Sequence, residues 1–196
     1  MAQAITRPNT FEDFIQIPYD GRITEFVNGE VVEVGTHDPT IGRIIKKLTR
    51  LLDNHIETIG LDWEAIAESS TIEIPKPTGK SNGRVPDIVV ATYAQWETIE
   101  RPKGTATFLK GDPPILAIEV VSRNSRQKDF EKLPAEYAIA GIPEYWIVGP
   151  DTQTVTVLTL QGNSYTQQTF TGQNKITSAT FPALKVTAEQ IFARDR

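Results

Sequence analysis

The chain has 196 residues, no cysteine and a net charge of −5. This length suits one large domain with its own hydrophobic core, and the lack of cysteine excludes disulfides, thiolate zinc sites and a cysteine nucleophile. The acidic balance argues against a general nucleic-acid coat protein, and without a signal-like N-terminus or an apolar run of about 18 residues we expect a cytoplasmic protein with no membrane association.

The first third of the chain predicts a short helix, a β-hairpin and a long helix. Residues 10–13 begin with a capping threonine, and residues 22–34 place two β-rich runs around Asn28-Gly29, the strongest short hairpin signal. A helix follows with Asp38 as its N-cap, apolar residues at helical spacing and Gly60 as its stop.

The rest of the chain predicts strands, a helix and a trailing meander. We expect strands within 62–74, a turn-rich loop at 75–84, a strand at 86–91, an irregular stretch to 114, a strand at 115–121, a helix at 129–140, a strand at 144–148, a meander of 153–160 and 164–170, and a short helix at 188–194. This order predicts a mixed α/β (α+β) fold, with a central mixed sheet flanked by helices, in a single domain spanning residues 1–196.

Two predicted buried strands each carry a carboxylate, Asp87 before 88-IVVA-91 and Glu119 within 115-ILAIEVV-121. Burying a carboxylate is costly unless it is paired or binds a cation. If the two strands are neighbours, their carboxylates repel each other, and a divalent cation such as Mg²⁺ relieves that repulsion. The alternative is that each is a hydrogen-bonded or solvated residue at a strand end.

The ordered set of RVPD87IVV, ILAIE119VVS and D129-F…E136-YAIAGIPEYWIV resembles the Uma-type putative restriction endonucleases of the PD-(D/E)xK nuclease superfamily. The resemblance covers residues 10–192. It implies a restriction-endonuclease-like core, hydrolysis of DNA phosphodiester bonds with Mg²⁺ or Mn²⁺, and a homodimer. By position, Asp87, Glu119 and the backbone carbonyl of Val120 would hold the metal, and Glu30 would be an accessory catalytic carboxylate.

The same resemblance implies a catalytic lysine, but this chain departs from the family's motif at the lysine position. The plain motif has lysine two residues after the glutamate, where this chain has Val121, and the Uma-type slot on the next helix holds Leu133. The lysine one place earlier, Lys132, becomes the catalytic candidate, and Lys128 is a weaker one on the same segment.

Several further residues near these motifs are candidates for accessory roles. His37 matches a position that is often histidine in the family. Arg123, Arg126 and Lys128 follow the Glu119 strand directly, where they would contact DNA phosphates. The span from 76 to 132 is basic, with ten Lys or Arg against seven Asp or Glu. Tyr137, Tyr145 and Trp146 are predicted to pack in the core.

Two other functions stay open on the sequence alone. The displaced lysine and the acidic net charge favour a catalytically degenerate nuclease fold that binds nucleic acid or a protein partner. A small-molecule-binding α/β domain, with Asp87 and Glu119 purely structural, is the third reading.

Overall fold

The computed structural model describes residues 8–18, 20–35, 38–77, 79–99, 106–121 and 128–194. Within these ranges the helices are α1 Phe11–Phe14, α2 Pro39–Ile59, α3 Tyr93–Ile99, α4 Leu133–Ala140 and α5 Ala188–Phe192, with one π-helical turn at Lys128–Lys132. The strands are β1 Thr24–Val27, β2 Glu30–Glu33, β3 Trp63–Ala67, β4 Ser70–Pro75, β5 Ser81–Arg84, β6 Ile88–Thr92, β7 Ala106–Phe108, β8 Leu116–Val120, β9 Glu144–Gly149, β10 Thr154–Gln161 and β11 Ser164–Thr171.

The strands form two mixed sheets. The central sheet has the order β11-β10-β9-β8-β6-β3 and is antiparallel except where β8 pairs with β9. The N-terminal sheet has the order β2-β1-β5-β4-β7 and is antiparallel except for β4 and β7. The predicted mixed α/β fold class, with a central sheet flanked by helices, is confirmed. The strands outside the central sheet form a second sheet.

Helix α2 begins and ends where its capping residues predict. The Asp38 side chain accepts hydrogen bonds from the backbone N–H groups of Thr40 and Ile41, and Gly60 ends the helix in the left-handed conformation at φ 70°. Its apolar stripe packs on one face of the central sheet, which presents side chains of β6 and β8 such as Ile88 and Ile118.

The opposite face of the central sheet packs against α4 and the N-terminal sheet. Because side chains alternate along a strand, this face carries Val89 of β6 and Ala117 of β8, which join a buried cluster with Ile72 of β4 and Tyr137 of α4. Asp87 and Glu119 keep the same alternation, so the fold directs both carboxylates toward this second layer.

The structure differs from the predicted elements at three places. Strand β5 lies inside the predicted loop 75–84, and α3 and β7 lie inside the stretch predicted to be irregular. The helix predicted at 129–140 is a π-helical turn followed by α4. Within the described ranges, no helix is long and apolar enough to cross a membrane.

Candidate active site

Asp87 and Glu119 lie opposite each other on neighbouring antiparallel strands. The ladder of β6 and β8 pairs Ile88 with Ile118, and one further step along it brings Asp87 opposite Glu119. Residues opposed in this way have side chains on the same face, with Cβ atoms about 4.5–5.5 Å apart. Both side chains are buried, at 7% and 8% exposure. The register therefore brings together the two carboxylates that the sequence singled out.

The backbone of β8 fixes the Asp87 carboxylate. The Val120 N–H donates a hydrogen bond to Asp87 Oδ2 at 2.5 Å. This contact joins the residue after Glu119 to the residue before β6, so it fixes the Asp87 carboxylate to the strand that carries Glu119. A charged acceptor strengthens such a hydrogen bond relative to a neutral one.

Glu119 is held by a tyrosine of α4. The Tyr137 hydroxyl donates to Glu119 Oε1 at 2.8 Å, and the tyrosine is fully buried. Its ring meets Tyr145 edge to face, with centroids 4.9 Å apart. Burial raises the pKa of the Tyr137 phenol well above its ordinary value, and the negative charge of Glu119 raises it further. The phenol therefore stays protonated and acts as a donor.

A buried ion-pair network joins the N-terminal sheet to α4 beside this site. The β1–β5 ladder pairs Phe26 with Gly83, which brings Glu25 opposite Arg84. Arg84 Nη1 donates to Glu25 at 2.8 Å, and its Nε and Nη2 donate to the two oxygens of Glu136 at 2.6 and 3.0 Å. Burial lowers the pKa of Arg84, but the hydrogen bonds and charges of Glu136 and Glu25 outweigh burial and raise it.

The predicted accessory carboxylate and the predicted lysine lie on the protein surface. The Glu30 side chain is exposed on β2, and the buried carboxylate of the hairpin is Glu25 instead. The Lys132 side chain is exposed at the end of the π-helical turn, whereas Leu133 and Val121 are buried in the core. The catalytic roles of Glu30 and Lys132 stay predictions.

Three other predicted residues, His37, Arg123 and Arg126, lie outside the described residues. Lys128 begins the π-helical turn, and its side chain also lies outside what the structure describes. Tyr137, predicted only as a core residue, is in the core and also contacts Glu119.

Sequence reasoning missed Glu25, Arg84 and Glu136 as members of the buried polar cluster. Side chains alternate along 24-TEFV-27, which could have placed Glu25 on the opposite face of β1 from Phe26. Phe26 packs on α1. Only the pairing with β5 shows that this second face is buried, and the sequence predicted a loop there.

The carboxylate pair fits a magnesium or manganese ion that also binds its substrate. Carboxylate oxygens are hard ligands of the kind these ions prefer. In the part of the chain that the structure describes, no group of three or more His, Asp or Glu side chains is placed to hold a metal ion. Mg²⁺ usually takes one or two carboxylates and completes its shell with water and substrate phosphates. Two facing carboxylates meet that requirement, and the Val120 carbonyl as a third ligand stays a prediction.

The comparisons with known proteins agree with this fold. A crystal structure titled a putative nuclease belonging to DUF820, from Anabaena variabilis ATCC 29413, matches with a TM-score of 0.73 at 21% sequence identity. The match covers 94% of this chain and 98% of that one, which shows a shared fold. A search of curated proteins gave no match. The model of the Uma2 family, described as putative restriction endonuclease, matches residues 11–189, and the chain therefore belongs to this family.

Proposed function

We propose that this protein is a metal-dependent endonuclease that hydrolyses DNA phosphodiester bonds at Asp87 and Glu119. The observation that carries the proposal is the opposition of these two buried carboxylates across β6 and β8. Membership of the restriction endonuclease family supports the reaction class, and the nuclease title of the Anabaena structure is in keeping with it.

The chain's own residues hold the two carboxylates in place for this chemistry. The Val120 N–H orients Asp87, and the Tyr137 hydroxyl orients Glu119. When bound, a divalent cation neutralises developing charge on the phosphate and lowers the pKa of its water. Because these hydrogen bonds already orient both carboxylates, we expect little reorganisation of Asp87 and Glu119 when a metal binds.

The basic residues that follow β8 are the proposed contacts to DNA. Arg123, Arg126 and Lys128 would bind phosphates and set the position of the duplex. Lys132 is the proposed catalytic lysine, because it ends the π-helical turn that leads into the helix of Tyr137. Single π-helical turns are frequent at functional sites. Glu30 and His37 are the proposed accessory residues. The family resemblance implies that the protein forms a homodimer, and we propose this as well.

A second candidate function rests on the two apolar residues in the lysine slots. Val121 and Leu133 are both buried in the cluster between the central sheet and α4. A chain that has lost its catalytic lysine could keep the fold and bind nucleic acid or a protein partner without cleaving. A nicking assay distinguishes such a binding module from an enzyme.

A nicking assay on supercoiled plasmid with Mg²⁺ or Mn²⁺ tests the proposal. The wild type is compared with Asp87→Asn and Glu119→Gln, and with Glu57→Gln as a control on the exposed face of α2. We expect nicking by the wild type and the control, and loss of at least about 100-fold in each site variant, in line with the several kcal/mol that a catalytic metal contributes.

Each other outcome has a definite meaning. Cleavage that survives both site substitutions overturns the assigned site. If no preparation cleaves, while the wild type still binds Mn²⁺ and DNA, the binding module is the better function. If the wild type cleaves, Lys132→Ala and Lys128→Ala in the same assay decide between the two lysines.

A further inference from the structure

We propose that Tyr137 is a positioning residue, whose hydrogen bond to Oε1 holds the Glu119 carboxylate in the orientation in which it binds the metal. The inference rests on the proposed function, because it needs Glu119 to bind a metal. It assigns to Tyr137 a role that its place in the core does not require, since a phenylalanine would fill the same space.

The position of the Tyr137 ring follows from the packing of α4 on the central sheet. Tyr137 lies four residues after Leu133, so both point from one side of the helix into the buried cluster. The β8–β9 ladder pairs Tyr145 with Ala117, two residues before Glu119 on the same face. The edge-to-face contact between Tyr137 and Tyr145 therefore places the phenol beside Glu119.

The hydroxyl itself is the informative group. Burying a phenol oxygen costs free energy unless it finds a partner, and the partner here is Glu119 Oε1 at 2.8 Å. Both groups are buried, at 0% and 8% exposure. A hydrogen bond to an ionised carboxylate is about twice as strong as one between neutral groups.

The consequence for Glu119 is a fixed orientation with one oxygen already engaged. A carboxylate held in this way does not have to be reoriented before it binds a cation. Hydrogen bonds that orient metal ligands are worth about 10–100-fold in metal affinity. Tyr137→Phe removes only the hydroxyl, so we expect Mn²⁺ to bind about 10–100-fold more weakly.

The test measures Mn²⁺ binding by calorimetry in the absence of DNA, with Tyr165→Phe as the matched control. Tyr165 is half-buried and its ring also contacts that of Tyr145, and its hydroxyl donates to the carbonyl of Ile142 rather than to a carboxylate. We expect Tyr165→Phe to bind Mn²⁺ as the wild type does and Glu119→Gln to lose binding. Urea denaturation of each variant without metal shows that the compared proteins are folded.

The outcomes separate this inference from the proposed function. If Glu119→Gln binds Mn²⁺ as tightly as the wild type, the metal site itself is wrong. If Glu119→Gln loses binding while a folded Tyr137→Phe keeps wild-type affinity, only the role of Tyr137 is overturned.

A crystal structure of the wild type with Mn²⁺ gives the second measurement, which does not depend on the folding of any variant. We expect the Tyr137 hydroxyl to stay hydrogen bonded to Glu119 Oε1 when this carboxylate binds the metal. A Glu119 side chain that binds the metal with its hydrogen bond to Tyr137 broken would contradict the proposed role.

Discussion

Replacing Arg84 by methionine tests whether the buried ion-pair network holds the N-terminal sheet to α4. The arginine joins Glu25 of β1 to Glu136 of α4 through the 2.8 Å and 2.6 Å ion pairs. The side chains of Arg84 and Glu25 are only 6% and 5% exposed, and that of Glu136 is 21% exposed. Methionine keeps much of the apolar stem and removes the guanidinium.

The expected loss follows from the burial of the partners. Removing one member of a buried ion pair costs about 3–5 kcal/mol, because the remaining charge loses its compensation in a medium that solvates it poorly. Glu25 carries most of this cost, since Glu136 is partly reached by water. Adding Glu25→Gln to Arg84→Met should recover part of the loss, because it removes the carboxylate that has lost its guanidinium.

The chain offers a matched control at its surface. Arg22 also bridges two carboxylates, Asp20 and Glu33, but all three side chains are at least half exposed. Exposed pairs contribute little because water and salt already screen them. Arg22→Met should therefore leave the midpoint of urea denaturation unchanged.

The assay is urea denaturation followed by tryptophan fluorescence at neutral pH. The result expected is a large fall in the unfolding free energy for Arg84→Met and none for Arg22→Met. If Arg84→Met lowers the unfolding free energy as little as Arg22→Met does, the buried network does not stabilise the docking of the N-terminal sheet, and the reasoning is wrong.

Three further predictions concern stability. Gly83→Ala should lower the unfolding free energy by about 1–3 kcal/mol in the same urea assay, because its Cβ would lie 2.9 Å from side-chain carbons of Phe11 and Thr71. Glu144→Ala should cost about 3 kcal/mol or more by the same measurement, since this fully buried carboxylate accepts four hydrogen bonds. Burial raises the pKa of Tyr165 above its ordinary value, so above about pH 10 the unfolded chain releases a proton that the folded chain retains. The unfolding free energy of the wild type should then fall more steeply with pH than that of Tyr165→Phe, by at most about 1.4 kcal/mol per pH unit, and equal slopes would contradict this.

The elements with strong local signals could be predicted from the sequence. Helix α2 has an apolar stripe, a capping aspartate and a terminal glycine, and the hairpin has Asn28 and Gly29 in the left-handed region at φ 55° and 88°. These signals depend on residues close together in the chain, so no knowledge of the packing was needed.

Strand β5 and the second sheet could not be predicted in this way. The sequence 81-SNGR-84 has low strand propensity, and it is extended because β1 and β4 pair with it on its two sides. The close approach of α1 to Gly83 is a further reason, since only glycine leaves room for Phe11 there. Both causes are contacts distant in sequence.

The candidate site also contains residues with local sequence signals and residues that only long-range contacts bring together. Asp87 and Glu119 were visible because a carboxylate stands out in an apolar strand, whereas Glu25 and Tyr137 become part of the cluster only through the pairing of β1 with β5 and the docking of α4. The hairpin carries three glutamates, and the family resemblance pointed to Glu30, which is exposed, whereas the buried one is Glu25.

Anomalous diffraction from crystals grown with Mn²⁺ tests the central claim most directly. We predict one strong peak between Asp87 and Glu119, within about 2.5 Å of an oxygen of each carboxylate, and its loss in Asp87→Asn crystals. A map with no peak at this pair, or with Mn²⁺ bound only among exposed carboxylates, would contradict the assignment of these residues as the metal site.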